Sequence, residues 1–125
     1  MPTPSERTVD ALRDALRQFN AARDWGQFHT PKNLAAGLVV EAAEVLEVLQ
    51  WDEPATADEI SPLKRERLAE EIGDVMIYLV NITDKLGLNP LECAFNKLKT
   101  NEEKYPIERV RGSSKKYDEY DAKPQ

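Results

Sequence analysis

Two pairs of carboxylates stand out in this chain, because each pair is spaced to lie on one side of a helix. Glu41 and Glu44 are three residues apart, and so are Glu71 and Asp74. Residues three or four apart are neighbours on a helix surface. If the two helices pack side by side, the four carboxylates converge, and oxygen ligands of this kind are those that Mg²⁺ prefers. The spacing therefore indicates a candidate magnesium site.

The positions of these acids around their helices separate them from their acidic neighbours. Each pair lies on a flank of an apolar stripe, with Tyr78 beside the second pair, whereas Glu47 and Glu70 point away. A partly buried carboxylate needs a partner, because burying an unpaired charge costs several kcal/mol. The two stripes consist of Leu34, Leu38, Ala42, Val45 and Leu49 in the first segment and of Leu68, Ile72, Val75, Leu79, Ile82 and Leu86 in the second.

A simpler interpretation of the acids is a solvated surface. Glutamates spaced i, i+3 are common on exposed helix faces, and either pair alone favours that interpretation. Two pairs on matching flanks of neighbouring amphipathic helices are harder to explain in this way. On the residues alone, both a metal site and a charged surface remain open.

Capping residues, prolines and a glycine along the chain predict an all-α fold with four helices. Ser5 is the expected cap of a first helix that ends near Ala22. Thr30-Pro31 and Ser61-Pro62 each read as a cap followed by a first-turn proline. Further predictions are that the second helix ends near Trp51, that Gly87 closes the third, and that the fourth runs from Asn89-Pro90 to just before Pro106.

Length and charge limit the possible functions. The 125 residues suffice for one domain, which we place at 1–106. Residues 107–125 are predicted to form a polar, flexible tail. Alternatively, this tail contacts a neighbouring subunit or phosphates. A net charge of −6 argues against binding to duplex nucleic acid, which needs a basic face. A single cysteine and the lack of a membrane-length apolar run predict a cytoplasmic protein that has no membrane partner.

Several motifs together resemble a known family. Glu41-x-x-Glu44, followed about thirty positions later by Glu70-Glu71-x-x-Asp74, resembles the signature of the MazG-like all-α nucleoside triphosphate pyrophosphatases. Further motifs are most similar to the dCTP pyrophosphatase branch of that family. These are Arg23-Asp24-Trp25, Gln27-Phe28-His29, Gln50-Trp51, Ile77-Tyr78-Leu79-Val80 and Lys97-x-x-x-Asn101-x-x-Lys104-Tyr105-Pro106.

The resemblance implies an activity and a set of site residues. Members of the family hydrolyse a nucleoside triphosphate to the monophosphate and pyrophosphate with Mg²⁺. By resemblance, the four paired acids are both the metal ligands and the catalytic residues. The implied substrate contacts are Trp25 and Trp51 around the base and Lys97, Asn101 and Lys104 on the phosphates. From the sequence itself we interpret His29 as a polar contact or a loop brace, and Tyr78, on the acid flank, as a hydrogen-bond partner of a metal ligand or of the sugar.

Alternatives remain for these residues and for the function as a whole. The tryptophans could instead fill the core, and the lysines could lie on an ordinary exposed face. Leu16 stands where vertebrate members of the branch carry a histidine near the base, so the preferred base stays open. The family resemblance also implies a four-helix bundle that assembles as a dimer or a dimer of dimers. The other functional classes are a non-catalytic helical oligomerisation module and a redox di-metal bundle, which usually needs Glu-x-x-His pairs.

Overall fold

The computed structural model describes residues 1–54 and 56–114. Over these residues the chain is helical and contains no strand, which confirms the predicted all-α class. In the same ranges, none of the helices combines the length and the apolar character needed to cross a membrane. The α-helices are α1 (Val9–Ala22), α2 (Pro31–Leu49), α3 (Pro62–Lys85), α4 (Pro90–Lys104) and α5 (Ile107–Val110), and short 3₁₀ turns occupy Pro4–Glu6, Gly26–Phe28 and Ala57–Glu59.

Side-chain caps fix where the long helices begin. The hydroxyl groups of Thr30 and Ser61 accept hydrogen bonds from backbone N–H groups two residues inside α2 and α3, so both predicted starts are confirmed. The prediction that Ser5 caps α1 is wrong. Ser5 lies within the first 3₁₀ turn, and Thr8 caps α1 by accepting a bond from the amide of Ala11. Gly87 follows α3 with φ of +67°, the left-handed conformation predicted for it.

The chain divides into two compact units, Met1–Pro90 and Leu91–Gln125. In the first unit α2 packs against α3 along most of its length, and α1 packs against α3 over a smaller area. The second unit contains most of α4, and α5 lies within the segment predicted to be a tail. Residues 115–125 of that segment lie outside the described residues, so its flexibility remains a prediction.

The core of the described chain is small and is rotated relative to the predicted stripes. Its buried hydrophobic residues are Leu16, Leu34, Val48 and Val80, of which Leu34 and Val80 are fully buried. Three residues assigned to the stripes are exposed instead, namely Ala42, Ile72 and Leu86. Val80, which lies outside the predicted stripe of α3, is only 2% exposed. Which side of a helix is buried depends on the neighbour that it meets, and Val48 and Val80 both lie outside the predicted stripes.

Candidate active site

The structure brings the four paired acids together between α2 and α3. One carboxylate oxygen from each of Glu41, Glu44, Glu71 and Asp74 lies within 4.8 Å of the others. The first three side chains are half-buried, whereas Asp74 is exposed. Two turns of α2 thus meet two turns of α3, which the i, i+3 spacing within each pair makes possible. The neighbouring acids Glu47 and Glu70 are exposed and lie outside this acid cluster, as predicted.

Crowding of like charges perturbs the acid cluster. Burial raises the pKa of Glu41 to about 7, assisted by a hydrogen bond with Glu44 and by the negative charges of the other three acids. The pKa of Glu71 is also raised, first by its hydrogen bond with Glu44, then by burial and by the neighbouring negative charges. None of the ion pairs found among the described residues includes a member of the cluster. The cluster therefore holds excess negative charge without a protein cation to balance it.

Two oxygen atoms of the acid cluster indicate what would balance that charge. Oε2 of Glu41 and Oε2 of Glu71 are buried and have no hydrogen-bond partner among residues 1–54 and 56–114. An unsatisfied buried carboxylate oxygen is costly, and nearly all such atoms in folded proteins are hydrogen-bonded or bound to a metal. Four hard oxygen donors within one small volume suit Mg²⁺. The residues present therefore fit a divalent cation.

A close helix contact lies one turn from the acid cluster. Gly37 precedes Glu41 by four residues, and Tyr78 follows Asp74 by four. A Cβ atom on Gly37 would lie 2.2 Å from Cε1 of the Tyr78 ring, so the ring rests against bare backbone. Only glycine permits this approach without a shift of the ring. Sequence reasoning identified Tyr78 but missed Gly37, for which the only signal was a glycine inside an otherwise regular helix.

The aromatic turn after α1 holds two of the predicted substrate contacts. The ring of Trp25 lies edge-on to Phe19, with centroids 5.6 Å apart, and edge-on to His29 at 6.4 Å. The guanidinium group of Arg23 lies over the ring of Phe19, 3.6 Å from the ring centroid. His29 is half-buried and lines a cavity of about 400 Å³ in the first unit.

Trp51 lies in a different place. Its side chain is 86% exposed, and it lines a separate cavity of about 500 Å³ formed by the loop after α2. An ion pair between Asp52 and Lys64 ties this loop to the first turn of α3. No ring contact between Trp25 and Trp51 occurs in the described part of the chain. Their shared role around a base remains a prediction.

The predicted phosphate contacts all lie on α4. Lys97, Asn101 and Lys104 follow one another at i, i+4 and i+7, so they share one side of that helix. Lys97 is exposed, whereas the other two are half-buried. All three residues belong to the second unit, and their contact with phosphates remains a prediction.

Polar contacts between α1 and α3 were not anticipated from the sequence. Arg17 donates from Nε and Nη2 to the two carboxylate oxygens of Asp84 at 2.9 and 2.5 Å. Asn20 donates from Nδ2 to Oδ1 of Asn81 at 3.1 Å. The guanidinium group lowers the pKa of Asp84, and the carboxylate raises the pKa of Arg17. The available signal was the three-residue spacing repeated on both helices.

Comparison with known proteins identifies the family. The model of the MazG-like family matches residues 38–120, which include both acid pairs. The chain is 39% identical to dCTP pyrophosphatase 1 of Bos taurus over 115 residues, covering 90% of this chain and 68% of that protein. It is 38% identical to dCTP pyrophosphatase 1 of Homo sapiens over 116 residues, covering 91% and 68%.

A solved structure has the same fold. The crystal structure of a pyrophosphatase from Archaeoglobus fulgidus superposes with a TM-score of 0.74 at 37% sequence identity, covering 85% of this chain and 99% of that one. The fold, the four converging acids and the matched sequence region all agree. The chain belongs to the MazG-like family.

Proposed function

We propose that this chain is a Mg²⁺-dependent nucleoside triphosphate pyrophosphohydrolase. It cleaves the substrate between the α- and β-phosphates and releases the monophosphate and pyrophosphate. Its substrate is dCTP, the nucleotide in the names of the mammalian relatives, or a modified dCTP, and its role is to cleanse the nucleotide pool. The observation that carries the proposal is the acid cluster, in which two buried oxygens lack any partner.

Each part of the proposed site has a chemical task. Glu41, Glu44, Glu71 and Asp74 would hold the metal, which when bound neutralises the triphosphate and activates the attacking water. None of the ion pairs found in the described part of the chain involves these four carboxylates, so they are available to a metal. Tyr78 lies against Gly37 beside them and is positioned to contact the sugar or a ligand carboxylate.

The basic side of α4 supplies the phosphate contacts in this proposal. Lys97 and Lys104 carry positive charge, and Asn101 adds an amide donor between them. Charge-assisted hydrogen bonds to phosphate are about twice as strong as those between neutral groups. The three residues would orient the triphosphate and offset charge that the reaction develops on it.

We further propose that the chain works as a homodimer or a dimer of dimers. Among the described residues only four hydrophobic side chains are buried, two of them completely, which is a thin core for a chain of this length. Large apolar side chains remain exposed on the same two helices that carry the acids. Burial of such surface is the main driving force for association. These side chains are Val39, Val40 and Leu46 of α2 and Ile72, Met76 and Ile77 of α3.

The proposal is tested by identifying the products of nucleotide hydrolysis. Purified protein is incubated with Mg²⁺ and dCTP. The products dCMP and pyrophosphate are measured alongside dCDP and inorganic phosphate, which cleavage at the γ-phosphate would give. We expect the monophosphate and pyrophosphate only, with no turnover in Glu44→Gln or Asp74→Asn. Glu47→Gln is the matched control, because Glu47 lies on the same helix as Glu44 but is exposed and outside the acid cluster.

Two results would contradict the proposal. One is full activity of Glu44→Gln or Asp74→Asn while circular dichroism shows unchanged helical content. The other is no pyrophosphate release by the unmodified chain from any deoxy- or ribonucleoside triphosphate at millimolar Mg²⁺. The second result would leave the helical oligomerisation module as the function class to pursue.

A further inference from the structure

The cavity of about 400 Å³ in the first unit has no task in the proposed function above, although His29, a predicted substrate contact, lines it. It lies where α1, the aromatic turn and α3 meet, and polar side chains from all three elements line it together with apolar surface. Among the residues that line it are Arg17, Asn20, His29, Leu34, Asn81 and Asp84.

The helix registers relate this cavity to the acid cluster. On α3, Asp74, Tyr78 and Asn81 follow at i, i+4 and i+7 and share one side of the helix. On α2, Leu34 precedes Glu41 by seven residues and lines the same cavity as Asn81. At 1.5 Å per residue, Asn81 lies about 10 Å along α3 from Asp74. The cavity therefore lies on the same sides of α2 and α3 as the acid cluster but farther along the helices. Tyr78 lies between the cavity and the cluster.

This placement suits a nucleotide. A triphosphate bound at the acids would direct its sugar past Tyr78 and its base toward Asn81. The tyrosine ring is fixed in between, because it rests against Gly37. The cavity also has the aromatic turn at its edge, where His29 packs edge-on to Trp25. Its size and surroundings fit a flat heterocycle with polar edges.

The two asparagines retain unused hydrogen-bonding groups. Their mutual bond uses one N–H of Asn20 and the oxygen of Asn81. A primary amide has two donors and one acceptor oxygen. Within the described residues no other side-chain bond is found for either amide, so the oxygen of Asn20 and the NH₂ group of Asn81 stay available. Exchanging oxygen and nitrogen in both amides would still leave one donor and one acceptor side by side.

The surroundings hold this amide pair rigidly. The two-point Arg17–Asp84 contact joins the same two helices one turn away. The carbonyl oxygen of Asn20 accepts the amide hydrogen of Trp25 at 3.0 Å, which ties the pair to the aromatic turn. Both asparagines are half-buried, so a base edge that leaves their polar groups unpaired carries a penalty. Preorganised polar groups of this kind discriminate strongly between ligands.

We propose that Asn20 and Asn81 determine base specificity, by pairing with adjacent donor and acceptor groups on the hydrogen-bonding edge of the nucleobase. The inference rests on the proposed function, since it takes the phosphates to lie at the acid cluster. It assigns the amide pair as direct contacts of the base and Arg17 and Asp84 as positioning residues behind it.

The test compares Asn20→Ala and Asn81→Ala with Asn96→Ala. Asn96 is an exposed asparagine of α4 and controls for loss of a helical asparagine. The kcat and KM values are measured for dCTP, dUTP, dTTP and dATP. Loss of one base hydrogen bond should raise KM for the preferred nucleotide about three- to tenfold and leave kcat within about twofold. The preference among bases should narrow in both variants and stay unchanged in the control.

Folding and metal binding are checked separately. Mg²⁺ should raise the melting temperature of the variants as much as that of the unmodified chain, because neither asparagine belongs to the acid cluster. If Asn81→Ala fails to fold, Asn81→Ser and Asn20→Ala decide the result. Variants that fold and bind Mg²⁺ normally yet keep the original ranking of bases would overturn the inference and leave the proposed function standing.

Failure of the proposed function gives a different result. If the unmodified chain releases pyrophosphate from no nucleotide, binding of the α,β-methylene analogue of dCTP is measured by calorimetry. Weaker binding by Asn81→Ala than by Asn96→Ala would still support recognition of the base. Equal binding by the two variants would overturn it.

Discussion

Replacing Glu41 with glutamine should stabilise the metal-free protein and at the same time impair its response to Mg²⁺. Glu41 lies within the acid cluster, and its pKa is raised from 4.5 to about 7, first by burial and then by the hydrogen bond and charges of its neighbours. Glutamine keeps the shape of the side chain but removes its negative charge. Without metal, the substitution therefore relieves repulsion, whereas with metal it removes a ligand.

The size and sign of the effect follow from linkage. The folded pKa is above the unfolded value, so the contribution of Glu41 to stability is fully present below pH 4.5 and is lost as the pH rises through about 7. At pH 8 this loss amounts to ~3 kcal/mol as an upper bound, since one pKa unit is ~1.4 kcal/mol. Solvent screening at a partly exposed carboxylate reduces it to ~1 to 2 kcal/mol. The melting temperature of Glu41→Gln should then rise by about 3 to 8 °C in EDTA at pH 8.

Thermal unfolding in EDTA and in millimolar Mg²⁺, at pH 8 and again near pH 4.5, measures both effects. We expect the increase in melting temperature of Glu41→Gln in EDTA to vanish at the lower pH, because Glu41 is protonated there. Glu47→Gln, on the exposed side of α2, is the control. It should change neither the melting temperature in EDTA nor the increase in melting temperature that Mg²⁺ produces. The reasoning is refuted if Glu41→Gln is less stable than the unmodified chain in EDTA at pH 8, or if Mg²⁺ stabilises both proteins equally.

Three further changes test the packing and capping around the site. Gly37→Ala should displace the Tyr78 ring, which a new Cβ would meet at 2.2 Å, and crystal structures of the variant and its parent would show an unmoved ring if this is wrong. Thr30→Ala removes the hydrogen bond to the Asn33 amide that begins α2 and should cost ~1 kcal/mol in urea unfolding, whereas an unchanged midpoint would contradict the cap. Asp84→Asn should lower stability at pH 7 but not near pH 2, because the pKa of Asp84 is lowered by Arg17 and its contribution is lost as pH falls through the folded pKa. Equal losses at both pH values would argue against that ion pair.

Local signals explain why the long helices could be predicted. Thr30 and Ser61 each precede a proline, and the fixed φ of proline together with a hydroxyl acceptor specifies a helix start without tertiary information. At the first helix the cap is Thr8 and not the predicted Ser5. The 3₁₀ turn at Pro4–Glu6 uses Ser5, so that α1 begins later than predicted.

The acid cluster could be predicted because it depends on spacing within two helices. The rotation of each helix about its axis could not, since it depends on which neighbour the helix meets. This is why Ala42 is exposed against expectation, and why Val80, which lies outside the predicted stripe, is buried within the unit. The Gly37–Tyr78 contact and the Asn20–Asn81 pair depend on register between helices, which no local pattern encodes.

The central claim is that the four acids bind a divalent cation, and anomalous diffraction from crystals grown with Mn²⁺ tests it most directly. Mn²⁺ accepts the same carboxylate ligands as Mg²⁺. The account predicts an anomalous peak among Glu41, Glu44, Glu71 and Asp74, with Oε2 of Glu41 and Oε2 of Glu71 turned toward the ion. A fully occupied Mn²⁺ elsewhere in the chain, with no peak among these four carboxylates, would contradict it.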